Sequence, residues 1–420
     1  MKLSELDRRK FLRGAVAAGV GFGSLKVAYG SALATGDLSK IYQAAHYLSA
    51  QVPPRALAHV KVARNRIIRT VVGLRPFRSE GFVVGAERLG EKLLIHNYGH
   101  GGAGVTLSWG TASLAADIAR DFIQTGIITQ PVPIAPEVSP KKPLRRLRLR
   151  APVRFAVIGC GVSGLSTARL IQQRLQNENT TVTIYAKELP PHTTSNVAGA
   201  LWSPTSVYDS DAITAGFREQ FRQAARISNR AFQELVGPEY GVRWTDAFEL
   251  LRSESSPQRE LTGGNDLYAQ VEIHRDPKRY FGFPLARQFS TMVIEPHTYL
   301  RALMRDFYLA GGKIVVREFR NRSDIARLRE QIIFNCTGLG SRTLLNDELL
   351  YPVRGQLEIL LPQPEVDYCY LAGGAYMFPR RDGIVLGGTW DREDWSLEPD
   401  ADQTNQILAS HEAVMKGGEK

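Results

Sequence analysis

Residues 154–169 read RFAVIGCGVSGLSTAR, and the fold turns on them. Phe155 to Ile158 is a short unbroken apolar run, the pattern of a strand buried in a parallel sheet. It leads straight into Gly159-Cys160-Gly161-Val162-Ser163-Gly164, after which the apolar spacing turns helical through Ile171. Strand, glycine turn and helix in this order are the context in which G-x-G-x-x-G marks a dinucleotide site. The glycines permit a tight turn and close backbone approach, and a diphosphate can rest on the helix N-terminus. Gly159, Gly161, Val162, Ser163 and Gly164 are therefore candidate cofactor contacts; the competing reading is a purely structural glycine turn. Residues 182–185 form the second strand, about 20 residues on, where such domains usually present an acid to the adenosine ribose. This chain has Lys187 and then Glu188 there, so either Glu188 acts from a shifted place or Lys187 meets a ribose or phosphate oxygen.

With 420 residues and 43% hydrophobic content the chain can bury the cores of two domains. No apolar run reaches the roughly 18 residues a membrane span needs, so no stable membrane insertion is expected. The net charge of +11 is local. Residues 1–34 contribute +4 and residues 141–154 contribute +7, leaving the remainder near zero and no broad face for nucleic acid. Three cysteines make no disulfide framework and are read as reduced, and no His/Cys spacing suggests a metal. Residues 7–12, DRRKFL, precede a mildly apolar stretch and Ala32-Leu33-Ala34. Residues 1–34 thus read as a twin-arginine signal, predicting a periplasmic or secreted protein that meets the twin-arginine machinery during export. That route carries folded proteins, which agrees with a dinucleotide loaded before transport.

Outward from the fingerprint, residues 35–54 are helix-like, and 60–72, 82–84 and 92–96 read as strands. A glycine-dense turn follows, and then an amphipathic helix over 106–124. Five of the nine residues 98–106 are Gly or Ala, so a ligand ring could approach the backbone of Gly101, Gly104, Val105 and Thr106 at a positive helix end. Residues 129–152 hold six prolines and a basic cluster and read as a linker. Residues 190–202 form a second small-residue loop. Helix over 215–236 and strand over 247–252 precede a run of helix 296–309, strand 313–319, helix 324–330 and strand 331–334. That run ends in Asn335-Cys336-Thr337-Gly338. Strands at 356–360, 375–378 and 384–386 and a helix over 402–415 complete the chain.

Taken together these motifs resemble the FAD-dependent D-amino-acid oxidase family, which includes D-aspartate oxidase. The resemblance rests on VIGCGVSGLSTA (157–168), IYA (184–186), Thr193-Thr194 with VAGALW (197–202), and NCTG (335–338). RGQ (354–356), LGGTW (386–390), GLRP (73–76) and HNYGHGGAGVTLSWG (96–110) complete it. In the family GLRP and HNYGHGG lie after the Leu-Gly-Gly strand; here they precede the fingerprint, so the chain reads as a circular permutant, a change that folds with adjacent ends tolerate. The resemblance implies an α/β fold. A Rossmann-like, glutathione-reductase-type FAD domain (94–128, 153–204, 296–345) would join a mixed-sheet substrate domain (57–93, 205–295, 346–400). It implies that Arg75 clamps the substrate carboxylate, Tyr376 donates to it, the Gly102 carbonyl accepts from the amine, and Trp390 walls the pocket. Thr193, Thr194, Ser195, Ala200, Leu201 and Phe319 would contact FAD. The implied reaction is hydride transfer from the α-carbon of a D-amino acid, by orientation and without a general base, then imine hydrolysis and reoxidation by O2. The helix beginning near Thr106 would stabilise charge on the reduced ring. Two departures stand out: Lys187 replaces the ribose-binding acid, and Ala372 replaces a second active-site tyrosine, with Tyr370 nearby. Rival readings are an oxidase of D-aspartate, glycine or N-methyl amino acids, a quinone-linked enzyme, and a flavin-binding protein without turnover.

Overall fold

The fingerprint strand sits in the middle of a buried sheet, as its composition demands. In the computed structural model the described residues are 56–130, 132, 153–175, 180–199, 201–253 and 267–417. The expected signal at 1–34, the helix at 35–54, Ala200 and nearly all of the linker lie outside them. One sheet has six strands in the order β2-β3-β10-β4-β5-β9. These are β2 (Val83–Leu89), β3 (Lys92–Tyr98), β4 (Arg154–Ile158), β5 (Thr181–Ala186), β9 (Lys313–Val316) and β10 (Ile332–Asn335). All run parallel except the edge strand β2, which pairs antiparallel with β3. Alternate residues of β4 enter different cores, Phe155 and Val157 on one face and Ala156 and Ile158 on the other. Covering both faces is what makes the run continuously apolar. Helices α1 (Gly104–Thr125), α2 (Val162–Arg174) and α5 (Pro296–Leu309) supply residues to the first face. The short α6 (Arg322–Ala326) and α7 (Gly340–Leu345) supply the second. The single turn α3 (Thr194–Val197) and the long α4 (Ala215–Glu234) complete this half.

The other sheet has nine strands. Its path is β1-β11-β14-β13-β12-β6-β8-β7, with β15 (Asp391–Arg392) paired to β11. The strands are β1 (Ile67–Arg78), β6 (Val242–Leu251), β7 (Ala269–His274), β8 (Leu285–Ile294), β11 (Leu350–Leu360), β12 (Cys369–Ala372), β13 (Ala375–Arg380) and β14 (Gly383–Gly387). It is mixed, β12 lying parallel to β6 and the other pairs antiparallel. One core cluster runs from Leu93 and Phe155 through to Leu357 and Phe378, so the two sheets share a hydrophobic interior. Helix α8 (Ala401–Met415) seals the opposite face of the nine-stranded sheet with Tyr370, Met377 and Leu386.

Several sequence expectations move. The strand expected over 60–72 starts at Ile67, after a 3-10 turn at Arg64–Arg66, and runs on to Arg78. Pairing with β11 carries it through Gly73 and Pro76, and as an edge strand it tolerates the proline. β2 lies in the six-stranded sheet, so the chain enters that sheet before residue 94. The helix expected over 324–330 is only Arg322–Ala326, capped by Asn321 through the Asp324 amide. The loop at 190–202 contains the turn α3. Strand β8 went unread because its polar residues look like loop. In the fold Arg287 pairs with Glu249, Gln288 with His274, Ser290 with Asp246, and Thr291 with the Trp202 carbonyl.

Candidate active site

A cavity of about 980 Å³ lies where the C-terminal ends of β4, β5 and β10 face the nine-stranded sheet. Gly159 has φ +113°, and a methyl there would overlap the Cys336 carbonyl at the end of β10. Only glycine lets these strand ends close up. Gly164 does not line the cavity: a methyl on it would overlap the Gly159 carbonyl, so its part is to let α2 pack onto the turn. Gly161, Val162 and Ser163 do line it, with the Val162 amide donating to Ser195 Oγ at 3.0 Å. The N-cap residues Gly161 of α2 and Ala103 of α1 supply no capping side chain of their own. Two positive helix ends therefore open into one cavity, α2 at the fingerprint and α1 at Gly104, Val105 and Thr106.

Thr193, Thr194, Ser195 and Leu201 line the same space, and so do Lys187, Glu188 and Phe319 where β5 and β9 end. Lys187 Nζ is held 3.3 Å from Glu318, and the Arg317 guanidinium lies 4.6 Å over the Phe319 ring. Ala200 lies outside the described residues. All three cysteines are free, buried thiols, and burial pushes Cys160 and Cys336 up to about 12.

From the nine-stranded sheet Arg75 and Tyr376, 301 residues apart, meet with Arg75 Nη2 donating to the phenol oxygen at 3.3 Å. Arg75 Nη1 donates to the carbonyls of Arg354 (3.2 Å) and Thr389 (3.4 Å), and the guanidinium sits 5.1 Å over Trp390. Both side chains rest on bare backbone. A methyl on Gly355 would overlap the guanidinium, and one on Gly387 would overlap the Tyr376 phenol. Gly102 is alongside: a Cβ there would lie 3.7 Å from Arg75 Cδ, and its amide donates to the Ser206 carbonyl at 2.8 Å. Among the described residues this leaves one Nη2–H, the Nε–H and the Tyr376 O–H as donors for an incoming carboxylate.

His100 and Asn97, both inside the HNYGHGG motif, also belong to the site. Asn97 Nδ2 donates to Thr167 Oγ1 at 3.0 Å, so its oxygen accepts from His100 Nε2 at 3.0 Å, and His100 Nδ1 faces Ser163 Oγ at 3.4 Å. The pair ties the β3 turn to the N-terminus of α2. Burial lowers the His100 pKa to about 4 and keeps it neutral. No spacing in the sequence marks this pair; the polar bracket forms only once β3 and α2 are adjacent.

A Rossmann-like sheet with this turn, joined to a mixed sheet that carries a guanidinium able to take a carboxylate, defines a dinucleotide-dependent oxidoreductase. The chain belongs to the DAO family of FAD-dependent oxidoreductases, which it matches over residues 12–118 and 154–419. It is 30% identical over 278 residues to a D-amino acid oxidase of Dugesia ryukyuensis, covering 64% of this chain and 79% of that protein. It is 31% identical over 265 residues to a D-aspartate oxidase of Homo sapiens, covering 61% and 74%. A D-amino-acid oxidase of Rubrobacter xylanophilus is 31% identical over 271 residues, covering 62% and 77%. Among solved structures, a glycine oxidase from Bacillus cereus superposes with a TM-score of 0.47 at 16% identity, over 61% of this chain and 77% of that one. The family's cofactor is FAD, and the cavity fits it: its volume is at the upper end of the roughly 300–1,000 Å³ of cofactor sites, and both anion-favouring helix ends open into it.

Proposed function

We propose that this chain catalyses oxidative deamination of D-amino acids: substrate, O2 and water become a 2-oxo acid, ammonia and H2O2. The observation that carries it is the Arg75–Tyr376 pair, which the nine-stranded sheet brings to the same cavity as the fingerprint turn of the six-stranded sheet. FAD supplies the hydride acceptor. The Gly161–Ser163 backbone and Ser195 would hold its diphosphate, with Thr193, Thr194 and Leu201 beside it. Lys187, Glu188 and Phe319 would meet the adenosine end, and Gly101 with Gly104–Thr106 the ring. Arg75 and Tyr376 bind the substrate carboxylate and the Gly102 carbonyl takes the amine, so the α-hydrogen is fixed by three contacts and no side chain need act as base. Trp390 closes the wall. Among the described residues, the cavity's other charged side chains are Lys187, Glu188, Arg317, Glu318 and Arg320, all at the β5–β9 ends. One cation beside Tyr376, Phe378, Leu371 and Trp390 favours substrates with one carboxylate and a neutral side chain over D-aspartate, whose second carboxylate would be buried unpaired.

Anaerobic absorbance spectra test this. D-leucine and D-phenylalanine, and not their L-forms or D-aspartate, are expected to bleach the flavin band. Bleaching by D-aspartate alone overturns the side-chain reading, and a flavin band that no amino acid bleaches overturns the activity.

The finer readings are proposals also. Export by the twin-arginine route rests on residues 7–12 and 32–34. Replacing Arg8 and Arg9 together by Lys is expected to retain the protein in the cytoplasm. The family match begins at residue 12, inside the proposed signal, and counts against cleavage after Ala34; a mature protein still carrying residues 12–34 would overturn it. The permuted order is supported by adjacency: the Val60 amide lies 3.2 Å from Met415 Sδ, so the end of α8 meets the chain leading into β1. A chain re-ordered to start at Val153, run from Gly417 into Leu57 and end at Thr129 is expected to fold and bind FAD. Failure to do so counts against permutation.

A further inference from the structure

The two residues of the clamp stand on strands that are tied, out of sight of the cavity, to helix α8. The first tie starts at Gln356, a side chain with no exposed surface next to the Gly355 seat of Arg75. Its backbone amide donates to Thr389 Oγ1 at 2.7 Å, and the carbonyl of that same threonine receives Arg75 Nη1. The Gln356 side chain runs away from the cavity. Its oxygen accepts from the Asp400 amide at 2.8 Å, and its nitrogen donates to the Asp400 carbonyl and to Thr404 Oγ1, both at 2.9 Å. Asp400 is the N-cap of α8, its side chain accepting from the amides of Asp402 and Gln403.

The second tie starts at His411, fully buried one turn from the other end of α8. The Gly387 carbonyl can only accept, so His411 Nε2, 3.0 Å away, carries the proton, and Nδ1 accepts from the Tyr370 hydroxyl. Gly387 is the glycine beneath Tyr376 and pairs with it across β13 and β14. Neither Gln356 nor His411 lines the cavity, and neither can touch substrate. Each fixes a peptide unit whose other side seats a substrate-binding group.

Resting on the activity proposed above, we propose that helix α8 is the positioning element of the carboxylate clamp, acting through Gln356 on the seat of Arg75 and through His411 on the seat of Tyr376. A displaced seat weakens the carboxylate contacts equally in the bound substrate and in the transition state. Such a loss falls mainly on KM; because the clamp also aims the α-hydrogen, kcat falls by a smaller factor, whereas losing a group that acts on the reacting atoms lowers kcat at nearly constant KM.

The test uses the flavin-loaded full chain with four variants. His411→Leu and Gln356→Leu are expected to raise KM for the preferred D-amino acid about 5- to 20-fold with kcat within about twofold. Flavin content and the resting flavin spectrum should match the parent protein. Hexanoate, a carboxylate with no amine to oxidise, should bind more weakly by the same factor. His411→Gln, which can donate to Gly387 and accept from Tyr370, should recover most of the loss. Tyr370→Phe removes one hydroxyl and no backbone contact, so it reads the relay even where His411→Leu fails to fold; about a two- to fivefold rise in KM is expected. Unchanged KM and hexanoate affinity in Tyr370→Phe and Gln356→Leu, or a fall in kcat at constant KM, overturns the proposal. Hexanoate affinity is read without turnover, so a parent protein that oxidises no D-amino acid would sink the proposed activity and leave this measurement able to support or reject the brace.

Discussion

The two ends of the cavity are built on opposite plans. At the fingerprint end, a local stretch of sequence makes the site: strand β4, a glycine turn and helix α2 follow one another within 21 residues, Arg154 to Arg174. At the clamp end nothing is local. Arg75 comes from β1, Tyr376 from β13, Trp390 from the segment after β14, and their seats are glycines on β11 and β14. A local site fails when its own backbone is disturbed; an assembled one fails when any of several strands shifts. The contrast predicts separable phenotypes.

Gly159→Ala should have the largest effect. Alanine at φ +113° is strained, and its methyl overlaps the Cys336 carbonyl, so the turn cannot close. Purified protein is expected to carry little or no flavin, measured as flavin per chain after denaturation, and to be inactive. Arg75→Ala should leave flavin content intact and lower kcat/KM for D-amino acids by about 10³, since stripping a carboxylate of its buried partner costs about 4 kcal/mol. If Arg75→Ala also emptied the flavin site, the two ends would not be separate.

Acid should expose a cost common to both ends. His100 at the fingerprint end and His411 behind the clamp are buried and held neutral, each with its pKa lowered to about 4 from an ordinary 6.5. Unfolded histidines take up protons below pH 6.5 while these two do not, so the unfolded state gains as pH falls from 6.5 to about 4. Each should withdraw about 3 kcal/mol of stability over that window. The denaturant midpoint should fall steeply between pH 6.5 and 4, and His411→Gln should remove about half of the slope. A half-slope profile would mean that one imidazole is protonated in the folded chain, and a flat one that both are.

This difference in plan also explains what was legible in the sequence. The strands of the six-stranded sheet, its long helices and the fingerprint could be read from the residues because apolar runs and glycine spacing report local structure, whereas the membership of β2 in that sheet could not. Helix 296–309 came out with the bounds Pro296–Leu309. The clamp could be named only through family resemblance, because no spacing links Arg75 to Tyr376. Gly355 and Gly387 gave no local signal, since what they avoid is a side chain from another strand. Strand β8 was missed because Arg287 and Thr291 look exposed until their partners on β6 and after α3 are in place. Gln356, inside a motif already quoted, looked like one more strand residue; its network is made by α8, 44 residues away at Asp400.

Gly355→Ala sharpens the assembled end. Its methyl must push the guanidinium off the carbonyls of Arg354 and Thr389, and the long Arg75 side chain can give way, so the clamp should be misaligned and not abolished. KM for D-amino acids should rise about 10- to 100-fold with flavin retained. A loss as deep as that of Arg75→Ala would mean the seat is as strict as the cation itself.

The smallest effect is expected where the sequence departs most from the dinucleotide pattern. Lys187 stands in the place of the usual ribose-binding acid, yet its ammonium is 65% exposed and already engaged with Glu318, itself 49% exposed. An ion pair so open to water is worth little, and a contact from it to a ribose oxygen would be screened in the same way. Lys187→Ala should therefore weaken FAD by less than about fivefold, measured by titrating flavin into the apoprotein, and the change should shrink further in high salt. The diphosphate resting on α2 and the ring against α1 would then account for nearly all of the affinity. A loss of a hundredfold would instead make Lys187 a principal anchor of the cofactor, and would make the adenosine end a second assembled site beside the clamp.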